Sequence, residues 1–199
     1  MTTAEHATQS HHLPAVVVAA QQRKAVLFFI LADAVFFGCL LFSYFYLRAL
    51  DVDGGWLPKG AHTASGALVW ITTAITIASA VAYRNAERSI AGGDRSRFLS
   101  SELVAMLLVV VAIAVSIVQI STWPLLMSDG SYASSFIVMS WVQLVHLLIL
   151  VILGIGIGSR GRHGRFDDGN INHVTVVGYF WYWVTLTAFL GALTTFFVH

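Results

Sequence analysis

Four polar residues stand inside long apolar runs of this chain: Asp33, Gln119, Gln143 and His146. A carboxylate and an imidazole are groups that accept, hold and release protons, and the two amides can hydrogen-bond between helices or hold a relay in place. Counting 1.5 Å per residue puts Asp33 about 12 Å, and His146 about 16 Å, from the same end of their runs. The two would therefore be neighbours if the first and fourth runs pack together. Gln143 precedes His146 by three residues and shares its helical face. Two readings stay open: these groups tie helices together, or Asp33 takes part in proton movement.

Other chemistry fits the sequence poorly. Of eight histidines, only His146 falls within an apolar run. Bis-histidine haem needs two ligands at matching depth, and a binuclear copper site needs several more. No Cys-x-x-Cys-His is present, and the single cysteine, Cys39, reads as a small apolar residue inside a run. No catalytic, cofactor or metal site of its own is therefore expected. His6, His11 and His12 cluster near the N-terminus in a polar segment, where a solvated role is the simpler reading than metal binding.

The apolar runs must position these groups. With 57% hydrophobic and 11% charged residues over 199 positions, the composition is that of a polytopic membrane protein. A span needs roughly 20 apolar residues, and the sequence predicts five, over about 25–47, 66–83, 103–123, 134–158 and 174–198, as one all-α domain (25–199) behind a tail over 1–24. That tail carries no basic leader with a cleavage site, so the first span is expected to act as its own insertion signal. A charge in lipid costs about 3 kcal/mol on insertion scales, so Asp33 should face protein, and the stripe Asp33, Phe37, Leu40, Tyr44 and Leu47 should be the buried seam.

The second span carries Thr72, Thr73, Thr76 and Ser79 and reads as an interior helix. Gly154, Gly156 and Gly158 permit close helix approach. Trp56 sits where an interfacial aromatic would, and the aromatic run from Tyr179 to Trp183 reads as a surface toward lipid or another subunit. Residues 84–102 and 159–173 read as basic loops. Five spans place nine Lys and Arg on one side of the membrane and two on the other. That asymmetry predicts a cytoplasmic N-terminus and an outside C-terminus. Arg84, Arg88 and Arg160 flank spans on the basic side and are candidate lipid headgroup contacts, or simply orientation signals. A transporter is the rival function, but no internal repeat is visible, and Pro14, Pro58 and Pro124 all fall outside the spans or at their edges.

From Leu27 to Val198 the chain resembles subunit III of the haem-copper oxidases in its five-helix bacterial form, which cytochrome and quinol oxidases share with nitric oxide reductase accessory proteins. LADAVFFGCLLFSYFYLR is similar to the family's first shared helix, with Asp33 at the buried carboxylate. GWLP at 55–58, TTAITIASAVAYRNAER, Gln119 with Trp123, DGSYASSF, and His146 as the second histidine of a Gly-x-His-x-x-His pattern follow in family order. Thr72 stands where Asn is usual, Thr122 where Glu is, Trp141 and Gln143 where Gly and the first His are, and Tyr182 and Thr185 where His and Asp are.

The resemblance implies a non-catalytic accessory subunit of a terminal oxidase in an aerobic respiratory chain of a bacterial inner membrane. Such a subunit stabilises catalytic subunit I, binds phospholipid and supports proton uptake, while haem and copper reside in the partner. Spans one and two are then expected to form one layer and spans three to five another, with lipid between. Neither the resemblance nor the charge pattern points to nucleic acid.

Overall fold

The computed structural model describes residues 14–51, 54–166 and 169–197. His6, His11, His12 and the C-terminal His199 lie outside them. Among the described residues, five helices are long and apolar enough to cross a membrane. They are α1 (Ala15–Ala49), α2 (Gly66–Ala91), α3 (Arg95–Thr122), α4 (Ser131–Arg162) and α5 (Asn172–Phe197). A single 3₁₀ turn, Met127–Asp129, precedes α4.

The helices outrun the apolar segments that nucleate them. α1 starts at Ala15, within the segment expected to be a tail, and its 35 residues reach about 52 Å at 1.5 Å per residue. α2 continues eight residues beyond Tyr83, and α3 begins at Arg95. The basic segment 84–102 is therefore helix on both sides of a tight turn over 92–94, not a loop. A charged helical turn outside hydrocarbon still satisfies its backbone internally, and nothing forces it to unwind. Gly93, at φ +79°, reverses the chain, and the Asp94 carboxylate caps α3 by accepting from the Arg97 N–H at 2.9 Å. α4 likewise extends to Arg162, into the expected 159–173 loop.

α2 and α3 form the closest pair. Ala80, Ala86, Ala105 and Ala112 are buried between helices, and the Ser79 hydroxyl donates to the Ala105 carbonyl at 3.1 Å. Small residues let backbones approach, and dispersion and interhelical hydrogen bonds hold them, because lipid offers no hydrophobic drive between helices. α4 packs on α3 through Gly154, Gly158 and Gly161, where a Cβ would collide with Met106, Glu102 and Phe98; Gly156 faces open space.

α1 packs only on α4 and α5 and does not approach α2, which lies against α3 and α5. The expected pairing of spans one and two in a separate layer is thus wrong. α5 sits between them and takes the contacts of both.

The bundle has two distinct ends. One, here the aromatic end, carries the α1–α2 and α3–α4 connections. There Trp56 is buried, with its ring 5.1 Å from Tyr44 and 5.7 Å from Tyr132. It is not the interfacial residue its position suggested; the loop folds inward, pinned by the Tyr132 N–H donating to the Trp56 carbonyl at 3.3 Å and the Ala64 N–H to the Tyr132 hydroxyl at 3.2 Å. The other, arginine-rich end carries the α2–α3 turn and the α4–α5 connection. There Arg23 of α1 donates to Asn172 of α5 at 2.8 Å, and Asn172 in turn to Gln22 at 2.7 Å.

Candidate functional site

On α1 the apolar residues Leu31, Val35, Phe42 and Phe45 are exposed, whereas Phe37 and Tyr44 are buried and Asp33, Leu40 and Leu47 are half-buried. The inward seam runs along the five positions expected from their spacing. It brings Asp33 against α4 and α5. His146 Nε2 lies 3.1 Å from Asp33 Oδ2 and 3.2 Å from Oδ1, and the Trp183 indole N–H donates to Oδ2 at 2.5 Å. One carboxylate thus joins three helices.

The His146 side chain is 6% exposed and that of Asp33 15%. An imidazole nitrogen facing a carboxylate serves best as donor, so Nε2 carries a proton toward Asp33. Nδ1 has no hydrogen-bond partner among the described residues. The Phe180 ring meets the imidazole edge-on at 6.1 Å, closing the apolar wall. Such an arrangement can share a proton between a buried imidazole and a half-buried carboxylate. Among the described residues no group of three His, Cys, Asp or Glu converges as a metal site would require.

One turn away, Gln143 Oε1 accepts from the Thr187 hydroxyl at 3.2 Å, and its amide reaches the Val184 carbonyl at 3.5 Å. Gln119 stands apart from the pair, on the wall of a cavity that Gln143 and Thr187 also line. The four membrane residues thus divide: Asp33 and His146 touch, Gln143 is their neighbour, and Gln119 communicates only through that cavity.

Within the aromatic run of α5, Phe180 and Trp181 are buried and Tyr179, Tyr182 and Trp183 are half-buried, so the run is not simply the outward surface its composition suggested. Trp181 is fully buried, stacks on Tyr83 at 4.3 Å and donates to Ser79 Oγ at 2.9 Å. Tyr182 donates to Glu87 Oε2, and Trp183 holds Asp33. Two of the three polar tips reach α2 and the third reaches α1, which aromatic side chains with one polar atom do well in an apolar bundle.

Two further buried carboxylates were not expected. Glu87 accepts from Arg84 at 2.9 Å as well as from Tyr182. Glu102, 5% exposed, lies against Gly158. The arginine at i−3 is the sequence signal for Glu87. Of the candidate headgroup residues, Arg84 is engaged by Glu87, while Arg88 and Arg160 are exposed at the arginine-rich end.

The family model described as cytochrome c oxidase subunit III matches residues 2–193. Among curated relatives, cytochrome c oxidase subunit 3 of Wickerhamomyces canadensis is 26% identical over 159 residues, covering 77% of this chain and 59% of the relative. The Bos mutus grunniens and Bos taurus proteins of the same name are each 25% identical over 187 residues, covering 90% of this chain and 69% of theirs. The chain therefore spans three-fifths to two-thirds of the length of these relatives. A membrane bundle with a buried acid on its first helix and a match along nearly its whole length places the chain in the cytochrome c oxidase subunit III family.

Proposed function

We propose that this protein is a non-catalytic accessory subunit of a haem-copper terminal oxidase, seated against the catalytic subunit I in a bacterial cell membrane with its N-terminus cytoplasmic. The observation that carries the reading is the subunit III match over residues 2–193. The nine-to-two distribution of Lys and Arg supports the orientation, and the likeness of Leu27–Val198 to five-helix bacterial subunits supports the compartment. α1 packs on α4 and α5 alone and leaves a broad apolar side bare. This reading gives that side to subunit I and to lipid chains, so that the bundle stabilises its neighbour.

Arg88 and Arg160 lie at the level of the phosphates and take lipid headgroups. The Asp33–His146 pair supports proton uptake by the larger assembly, and haem and copper belong to the partner. Purification from native membranes with a haem spectrum tests the reading. Stoichiometric recovery with a haem- and copper-bearing, oxygen-reducing partner is the expected result. A colourless protein that purifies alone and moves a solute in liposomes overturns it. A complex that reduces nitric oxide and not oxygen reassigns it to that reductase.

A further inference from the structure

Between α2, α3, α4 and α5, on the aromatic-end side of the Asp33–His146 pair, lies a cavity of about 70 Å³. Its floor includes Phe37 and Gln143, one turn along α1 and α4 from Asp33 and His146. Its walls carry hydroxyls and amides, among them Thr72, Ser116, Gln119 and Thr187. The wall residues that remain half-exposed near the ends of α2 and α5, Val69, Gly191 and Thr195, mark where it opens.

Two of these groups lack a partner among the described residues. Thr72 Oγ1 is buried and makes no hydrogen bond to any of them. Gln119, 7% exposed, makes none to a described residue. The Ser116 hydroxyl spends its proton on the Ala112 carbonyl at 2.9 Å, and that of Thr187 is shared between the Val184 carbonyl at 2.9 Å and Gln143 Oε1 at 3.2 Å, leaving acceptor lone pairs. A buried amide or hydroxyl without a partner costs about 1–3 kcal/mol. Purely apolar cavities stay dry, but a site with several convergent donors and acceptors, and more than the 10–15 Å³ that one water needs, holds ordered water.

We propose that this cavity holds a hydrogen-bonded cluster of water that reaches from the aromatic end of the bundle to the Gln143 side chain, one turn of α4 from His146. Thr72 and Gln119 anchor the cluster, and Gln143 separates it from the imidazole. The cluster is held by this chain's own residues.

Hydroxyl-radical labelling by X-ray radiolysis, read by mass spectrometry on the native membrane complex, tests this. Radicals form from bound water, so buried side chains beside it are oxidised. Met139 lines the cavity, whereas Met106 packs against Gly154 away from it. The expected result is several-fold faster oxidation of Met139 than of Met106. In Thr72→Val, which removes an anchoring hydroxyl and keeps the shape, the Met139 rate falls towards that of Met106. Met139 oxidised no faster than Met106 in the unsubstituted protein overturns the water cluster, and this comparison needs no variant to fold. A Met139 rate unchanged in Thr72→Val overturns the anchoring by Thr72.

Discussion

The Trp183 indole N–H lies 2.5 Å from Asp33 Oδ2, on the oxygen that also faces His146 Nε2 at 3.1 Å. The acid of α1 is thus held by α4 and α5 together, and α5 supplies the shorter contact. Trp183→Phe keeps most of the ring and removes only that donor. Hydrogen bonds to charged groups contribute about 1.5–3 kcal/mol, so a fall of that size in the purified protein's unfolding free energy is expected. In a cycle with Asp33→Ala, the two changes should fall short of additivity by about 0.5–3 kcal/mol. Additive losses would mean that the contact carries no energy.

Asp33→Asn keeps the size of the side chain and removes its charge. Under the proposed role the variant assembles with its partners at normal yield, yet proton uptake slows, or the complex inactivates sooner during turnover. Stopped-flow proton uptake and turnover-dependent loss of activity in the purified complex measure this. If both match the unsubstituted complex, the pair serves only to tie α1, α4 and α5 together.

The α4 glycines give a graded test of packing. A Cβ at Gly161 would run into the fully buried Phe98 ring, itself wedged against Phe166 at 5.8 Å. A Cβ at Gly156 meets nothing within 4 Å. Gly161→Ala should therefore destabilise by about 1–3 kcal/mol through overpacking. Gly156→Ala should be neutral or stabilising by up to about 1 kcal/mol, since alanine is the better helix former. Thermal unfolding of the two variants side by side reads the difference, and equal melting temperatures would contradict the packing described.

Much of this architecture is legible in the residues, for identifiable reasons. Span number follows from run length, and the α1 seam from placing one costly carboxylate on a helical stripe. The meeting of Asp33 and His146 follows from their similar depths once the first and fourth spans pack together, as α1 and α4 do. The direction of the Tyr179–Trp183 run was not legible, because an aromatic side chain suits lipid and bundle interior alike and only its polar tip distinguishes them. Trp56 misled in the same way. The layer order failed because nothing in α1 or α2 says that α5, last in the chain, inserts against both. Glu87 and Glu102 were hidden by their charge: a segment rich in Arg and Glu reads as loop, although both acids lie on helices and turn inward.

Those two buried carboxylates should answer differently to loss of charge. Glu87 is satisfied by the Arg84 guanidinium and the Tyr182 hydroxyl, whereas Glu102 makes no hydrogen bond to a described residue and is 5% exposed. An unpaired ionised carboxylate in a low-dielectric interior is costly, and a paired one becomes costly only when its partner is stranded. Glu102→Gln removes a desolvated charge that no hydrogen bond from a described residue satisfies and that the Arg162 guanidinium only partly offsets, so its melting temperature at neutral pH should equal or exceed that of the unsubstituted protein. Glu87→Gln leaves Arg84 without its counter-charge and weakens the bond from Tyr182, and its melting temperature should fall. The Arg84 side chain is 54% exposed, and water takes over part of the lost pairing, which limits the loss to about 1 kcal/mol. Should Glu102→Gln prove the more damaging of the two, the attraction of Arg162 outweighs the burial of the charge.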